Sequence, residues 1–189
     1  MKASAIHADL DQILQGAFTA FHAGFAGESW RGKERDCVNR FVMGYLVAAC
    51  SPGRLLEHPT QIGIEVAVKQ PPGVGEKKTA HKDVVIWPKP FMSCWNQNGD
   101  WNAVHPPLAV IEWKIHRLGA RRRTPERDLQ GDRNWVRAFS RENPESLGYS
   151  VFLDFTQAGK SSGNPCELAV SRCHAGKWQD AWLKLPDFP

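Results

Sequence analysis

In the run Ala109-Val110-Ile111-Glu112-Trp113-Lys114-Ile115 a carboxylate and an ammonium sit two residues apart inside an otherwise apolar segment. Burying either charge alone is costly, so the pair calls for partners. Folded as a strand, the run places Glu112 and Lys114 on one face and Ile111, Trp113 and Ile115 on the other. A second short apolar run, Asp83-Val84-Val85-Ile86-Trp87, opens on a carboxylate of its own. Two carboxylates with a backbone carbonyl beside them are hard oxygen donors, the kind that magnesium or manganese takes. A cation so held activates water and offsets charge on a phosphate under attack. An ammonium on the same face orients that water or stabilises the developing charge. The chemistry expected of Asp83, Glu112 and Lys114 is therefore metal-dependent hydrolysis of a phosphoester.

Such a trio needs two neighbouring strands and a helix against them. Strands are expected over residues 62–68 and 82–87, joined as a hairpin by the loop 71–78, and over residues 108–115. A Pro-, Trp- and Asn-rich connection, residues 88–107, links the last two; a loop of that length is more often functional than idle. Ahead of the strands, Ile6, Leu10, Ile13, Leu14, Phe18, Phe21 and Phe25 recur at helical spacing over residues 4–25. A second helix is expected over residues 33–50, with Val38, Phe41, Val42, Tyr45 and Leu46 on its apolar face. Glu34 precedes Val38 by four residues and Phe41 by seven, so it belongs to the inward stripe and is a candidate further ligand. The plainer alternative is a carboxylate favoured by the helix dipole. Thr124-Pro125 starts a third helix, residues 125–141, which ends before Pro144. Strands over residues 148–155 and 166–173 follow, and a tail with Trp178, Trp182 and Leu185 is expected to pack on the sheet edge. The expected fold is α/β (α+β): one domain, 1–189, with a mixed sheet of about five strands flanked by helices.

Charge is distributed unevenly. Arg117, Arg121, Arg122, Arg123, Arg127, Arg133, Arg137 and Arg141 all follow the Glu112 strand, a one-sided basic segment suited to a polyanion. Arg121, Arg122, Arg123, Arg127 and Arg133, with Gln130, are the expected nucleic-acid contacts. Asp128 and Asp132 read as charge neighbours of those arginines along the helix. Glu65 and His81 are weaker candidates for the site. Five cysteines without a C-x-x-C pair point to neither a disulfide framework nor a zinc site. With no signal-peptide pattern and no apolar stretch of membrane-spanning length, a cytoplasmic protein is expected. Gly73-Val74-Gly75 lacks the spacing of a phosphate-binding loop, which disfavours nucleotide chemistry.

Glu34 in a helix, Asp83 at a strand start and Glu112-Trp113-Lys114 in the next strand together resemble the PD-(D/E)XK nuclease superfamily, the restriction-endonuclease-like fold. The likeness covers about residues 28–156, leaving an N-terminal helix and a C-terminal extension outside it. It implies a core of a helix, a three-stranded meander, a crossing helix and a further strand. It also implies magnesium- or manganese-dependent hydrolysis of DNA phosphodiester bonds, leaving a 5′-phosphate and a 3′-hydroxyl. Asp83, Glu112 and Glu34 would hold the metal, and Lys114 would complete the catalytic set. Lys82 stands where the family usually has proline. With one site per chain, cutting both strands of a duplex calls for a homodimer. The alternative is a catalytically inactive module of the same fold that binds nucleic acid or a protein partner.

Overall fold

The computed structural model describes residues 3–25, 30, 32–94, 105–116, 125–155 and 166–185, without the side chains of residues 3 and 125–128. Helix α1 spans Ala3–Ala23, and α2 spans Glu34–Phe41 before loosening into a π turn, Val42–Leu46, and a short 3-10 turn, Val47–Ala49. Strands β1 (Ile62–Lys69), β2 (Thr79–Ile86) and β3 (Ala109–His116) come next. Helix α3 (Pro125–Glu142), β4 (Leu147–Asp154), β5 (Glu167–His174) and β6 (Lys177–Leu185) complete the chain. The six strands lie in one mixed sheet in chain order. Among the described strands only the β3–β4 pair is parallel, because α3 crosses between them; the other neighbours are antiparallel.

Each face of the sheet buries its own apolar layer. On one face, Leu10, Leu14, Phe18 and Phe21 of α1 and Val38 and Phe41 of α2 pack on Ile111, Trp113, Tyr149 and Val151. On the other, Trp135, Val136 and Phe139 of α3 pack on Val85, Val110 and Cys173. The helix lies so close to β4 that a Cβ on Gly148 would stand 2.2 Å from Val136 Cγ1, which is why glycine is required there. A partly buried acid ties α1 to the sheet: Asp11 Oδ1 accepts from Tyr149 Oη at 2.7 Å and from Arg172 Nε at 2.9 Å.

Two expectations are corrected. The sheet has six strands rather than about five, since the tail expected to lean on its edge is the edge strand β6. The signal was a two-residue hairpin at Ala175-Gly176, both with positive φ (48° and 76°), the geometry of a type I′ turn. Alanine rather than Asn or Asp in the first position hid it. Strand β2 also begins earlier than residue 82, at Thr79. Among the described residues no helix is long and apolar enough to cross a membrane.

Candidate active site at a fork between strands

Strands β2 and β3 pair only through Val84↔Ile111, Val85↔Val110 and Ile86↔Ala109. The next pair in that register would be Asp83 with Glu112, and there the ladder stops. Below the fork β2 continues on β1 alone, and β3 continues on β4 alone. Asp83 itself opens the gap: its Oδ2 accepts the Trp113 backbone N–H at 2.7 Å, taking the donor that a neighbouring strand would otherwise receive. The two carboxylates singled out from sequence are thus the first residue of each strand past the fork.

The same point reverses the faces of β1 and β2. Val84 and Ile86 pack with α1 and α2, whereas Ala80, of the same parity, packs on the α3 side. Likewise Ile62 and Ile64 face α1 and α2, but Val66 and Val68 face α3. The pivot is Glu65, in the left-handed region at φ 51°, a conformation that costs a non-glycine residue about 1–3 kcal/mol and tends to be kept near functional sites. Because Ile64↔Val84 and Val66↔Lys82 stay paired, β2 turns over with β1. Lys82 is thereby carried to the α3 face, where its ammonium lies 3.9 Å from the Trp135 ring centroid and bonds Glu112 Oε1.

Trp113 fixes the two charges on either side of it. Its ring is locked in an aromatic cluster, with centroids 5.4 Å from Phe21 and 5.3 Å from Phe41, so β3 cannot rotate to release Glu112 or Lys114. Lys114 Nζ lies 2.9 Å from Asp132 Oδ2 on α3 and 3.4 Å from Glu34 Oε1 on α2, and donates to the Trp113 carbonyl at 3.0 Å. One lysine reaches helices on opposite faces of the sheet because the fork leaves β3 uncovered on that side.

The cluster is crowded with like charge. Glu112 is 5 % exposed. Burial pushes its carboxyl up to about 8, Lys82 pulls the other way, and the Asp83 and Asp132 charges add to the rise. Burial also raises Glu34; Lys114 opposes the shift while Asp83 and Asp132 reinforce it. Burial works against the Lys114 ammonium, but Asp132, Glu34 and Asp83 outweigh it and hold the group above the ordinary lysine value. Counted fully ionised and among the described residues, four carboxylates, Glu34, Asp83, Glu112 and Asp132, outnumber two ammoniums, Lys82 and Lys114, by two. That donor set, all hard oxygen and short of two positive charges, fits a magnesium or manganese ion. Among the described residues no three such side chains already form a metal cage. Instead, Glu112 points at Lys82, Asp83 at the Trp113 N–H, and Glu34 at Lys114.

Asp83, Glu112, Lys114 and Glu34 are therefore neighbours, as their spacing implied, and two residues join them that the sequence reading left out. Asp132 is not a mere partner of the helix arginines; it precedes Val136 by four residues and Phe139 by seven, the inward offsets that marked Glu34. Lys82 carried no comparable signal, since its face depends on the reversal at Glu65. Glu65 itself turns away from the site, taking Arg35 in a two-pronged ion pair (2.7 and 2.5 Å) at the surface. His81 is exposed. Of the expected nucleic-acid contacts, Arg133 is committed elsewhere: its guanidinium bonds Asp180 at 2.5 Å and stacks on Trp178 at 4.3 Å, pinning α3 to β6. Gln130 is exposed and donates to Asn134 at 2.8 Å. Arg121, Arg122 and Arg123, and the side chain of Arg127, lie outside the described residues, as does the centre of the 88–107 connection.

Compared with known proteins, the chain matches no family model, no curated protein and no solved structure.

Proposed function

We propose that the protein is a metal-dependent nuclease hydrolysing DNA phosphodiester bonds, with its site at the fork between β2 and β3. The observation that carries this reading is the meeting of Asp83 and Glu112 as the first residues past the fork, with Lys114 two residues on. The order of α2, the β1–β2–β3 meander, α3 and a β4 parallel to β3 supports it, being the order that the PD-(D/E)XK resemblance implies. The excess of two negative charges supports a divalent ion held by Asp83 and Glu112, with Glu34 as a further ligand. A magnesium or manganese ion so held supplies an activated water and neutralises charge on the phosphate. Lys114, steadied between Glu34 and Asp132, stabilises the negative charge that develops on the phosphoryl oxygens. The arginines between β3 and α3 take the DNA backbone, which fixes position but reads no sequence.

The experiment is a gel assay on supercoiled, linear and single-stranded DNA with magnesium, with manganese and with EDTA, followed by end-group analysis. Expected are metal-dependent cleavage and 5′-phosphate ends. Cleavage that persists in EDTA would falsify the site. The pairing of Glu112 with Lys82 favours a second reading, a non-catalytic module that binds nucleic acid; DNA binding without cleavage under every metal condition would select it.

A further inference from the structure

Lys82 is the one charged member of the cluster to which the nuclease reading gives no task. Its side chain and that of Glu112 are each 7 % exposed, and a buried ion pair seldom repays the desolvation of both its charges. Stability is thus a poor reason for its presence. Its ammonium has two partners of different kinds: the Glu112 carboxylate and the face of Trp135. The ring is itself held in place, donating its N–H to Gln70 Oε1 at 2.8 Å and stacking on Phe139 with centroids 5.3 Å apart. A regular β2 would have turned Lys82 into the aromatic layer under α1 and α2; the reversal at Glu65 and Asp83 aims it at Glu112 instead.

We propose that Lys82 is the resident cation of the site: it occupies Glu112 in the metal-free protein, competes with a divalent ion for that carboxylate, and withdraws onto the Trp135 ring when the ion binds. The proposal rests on the nuclease reading and deepens it. Lys82 acts through Glu112, so it is a positioning residue. In the metal-free state it keeps the buried Glu112 side chain partnered. When Glu112 is taken, the Trp135 face keeps the displaced ammonium in a favourable cation–π contact, so releasing the carboxylate does not strand a buried charge. The withdrawal is a short swing about a flexible stem, since both partners already touch the ammonium.

The test is manganese binding to the full chain by calorimetry, for the wild type and for Lys82→Met, Lys82→Gln and Lys82→Arg, with folding checked by melting in EDTA. The two neutral variants should bind manganese about tenfold tighter or more, and the arginine variant within about threefold of wild type. Trp135→Leu, which removes the second resting place, should bind more weakly, and it carries the test if the neutral variants do not fold. Manganese binding by the wild type with no gain in the neutral variants overturns the competition and leaves the nuclease reading standing. No manganese binding by any of these proteins overturns both.

Discussion

Asp83 accepts the backbone N–H of Trp113 across the gap where β2 and β3 have ceased to pair, at 2.7 Å. The carboxylate has a structural task on one oxygen and leaves the other for chemistry. Two substitutions separate the tasks. Asp83→Asn keeps an acceptor for the N–H and should melt close to wild type. Asp83→Ala strands that donor and should cost about 1–3 kcal/mol. Both should lose DNA cleavage by at least about 100-fold, the scale of removing one preorganised charged group. Paired urea melts and cleavage rates decide it; an active Asp83→Asn protein would remove this residue from the metal site.

Glu112 makes the metal-free protein sensitive to pH in an unusual direction. Its carboxyl is pushed from 4.5 to about 8 by burial, with Asp83 and Asp132 adding to the rise. The folded state therefore holds a proton that the unfolded chain releases, and stability present in acid is lost as pH rises from about 4.5 to about 8. Glu34, shifted the same way, adds to the slope. In EDTA the wild type should lose stability across this window, by up to a few kcal/mol, while Glu112→Gln gives a flatter curve. Magnesium should stabilise the wild type most at the alkaline end, where Glu112 is ionised. Calorimetry from pH 5 to pH 8 measures all three; parallel curves for wild type and Glu112→Gln would mean that Glu112 does not titrate in this range.

The helices and most strands were legible because their apolar residues repeat at 3.6 or 2, as Phe18 and Phe21 do in α1 and Ile111 and Trp113 in β3. So was the charged face of β3, because two charges on one face of an apolar strand call for partners, which Lys82, Asp132 and Glu34 supply. The reversal at Glu65 was not legible: nothing local marks a glutamate for positive φ, and the turn-over is imposed by the sheet. Lys82 was lost with it. Asp132 was legible in principle, since its offsets from Val136 and Phe139 match those that marked Glu34. Its arginine neighbours offered a surface explanation, and the contact with Lys114 was hidden behind it.

Lys114 is held by Asp132 at 2.9 Å and by Glu34 at 3.4 Å, acids from helices on opposite faces of the sheet. Lys114→Met should abolish cleavage and barely alter stability, because the lysine and both acids are partly exposed and such pairs contribute little. Asp132→Asn should act through the lysine, lowering kcat by about 10–100-fold, as loss of an orienting partner does, with KM for DNA nearly unchanged. A rise in KM at constant kcat would instead make Asp132 part of the binding surface.

Asp11 offers a contrast remote from the fork. Its Oδ1 receives both the Tyr149 hydroxyl and the Arg172 Nε, and Tyr149 is fully buried. Asp11→Ala leaves a buried hydroxyl and a mostly buried guanidinium without their acceptor, which should cost about 2–4 kcal/mol. Tyr149→Phe removes only one donor and should cost about 1 kcal/mol. Asp11→Asn, which keeps an acceptor but no charge, should fall between them. None of the three touches the fork, so cleavage per folded molecule should stay at the wild-type rate while urea midpoints drop. A variant that kept its midpoint but lost cleavage would show that the Asp11 tie serves the site rather than the attachment of α1.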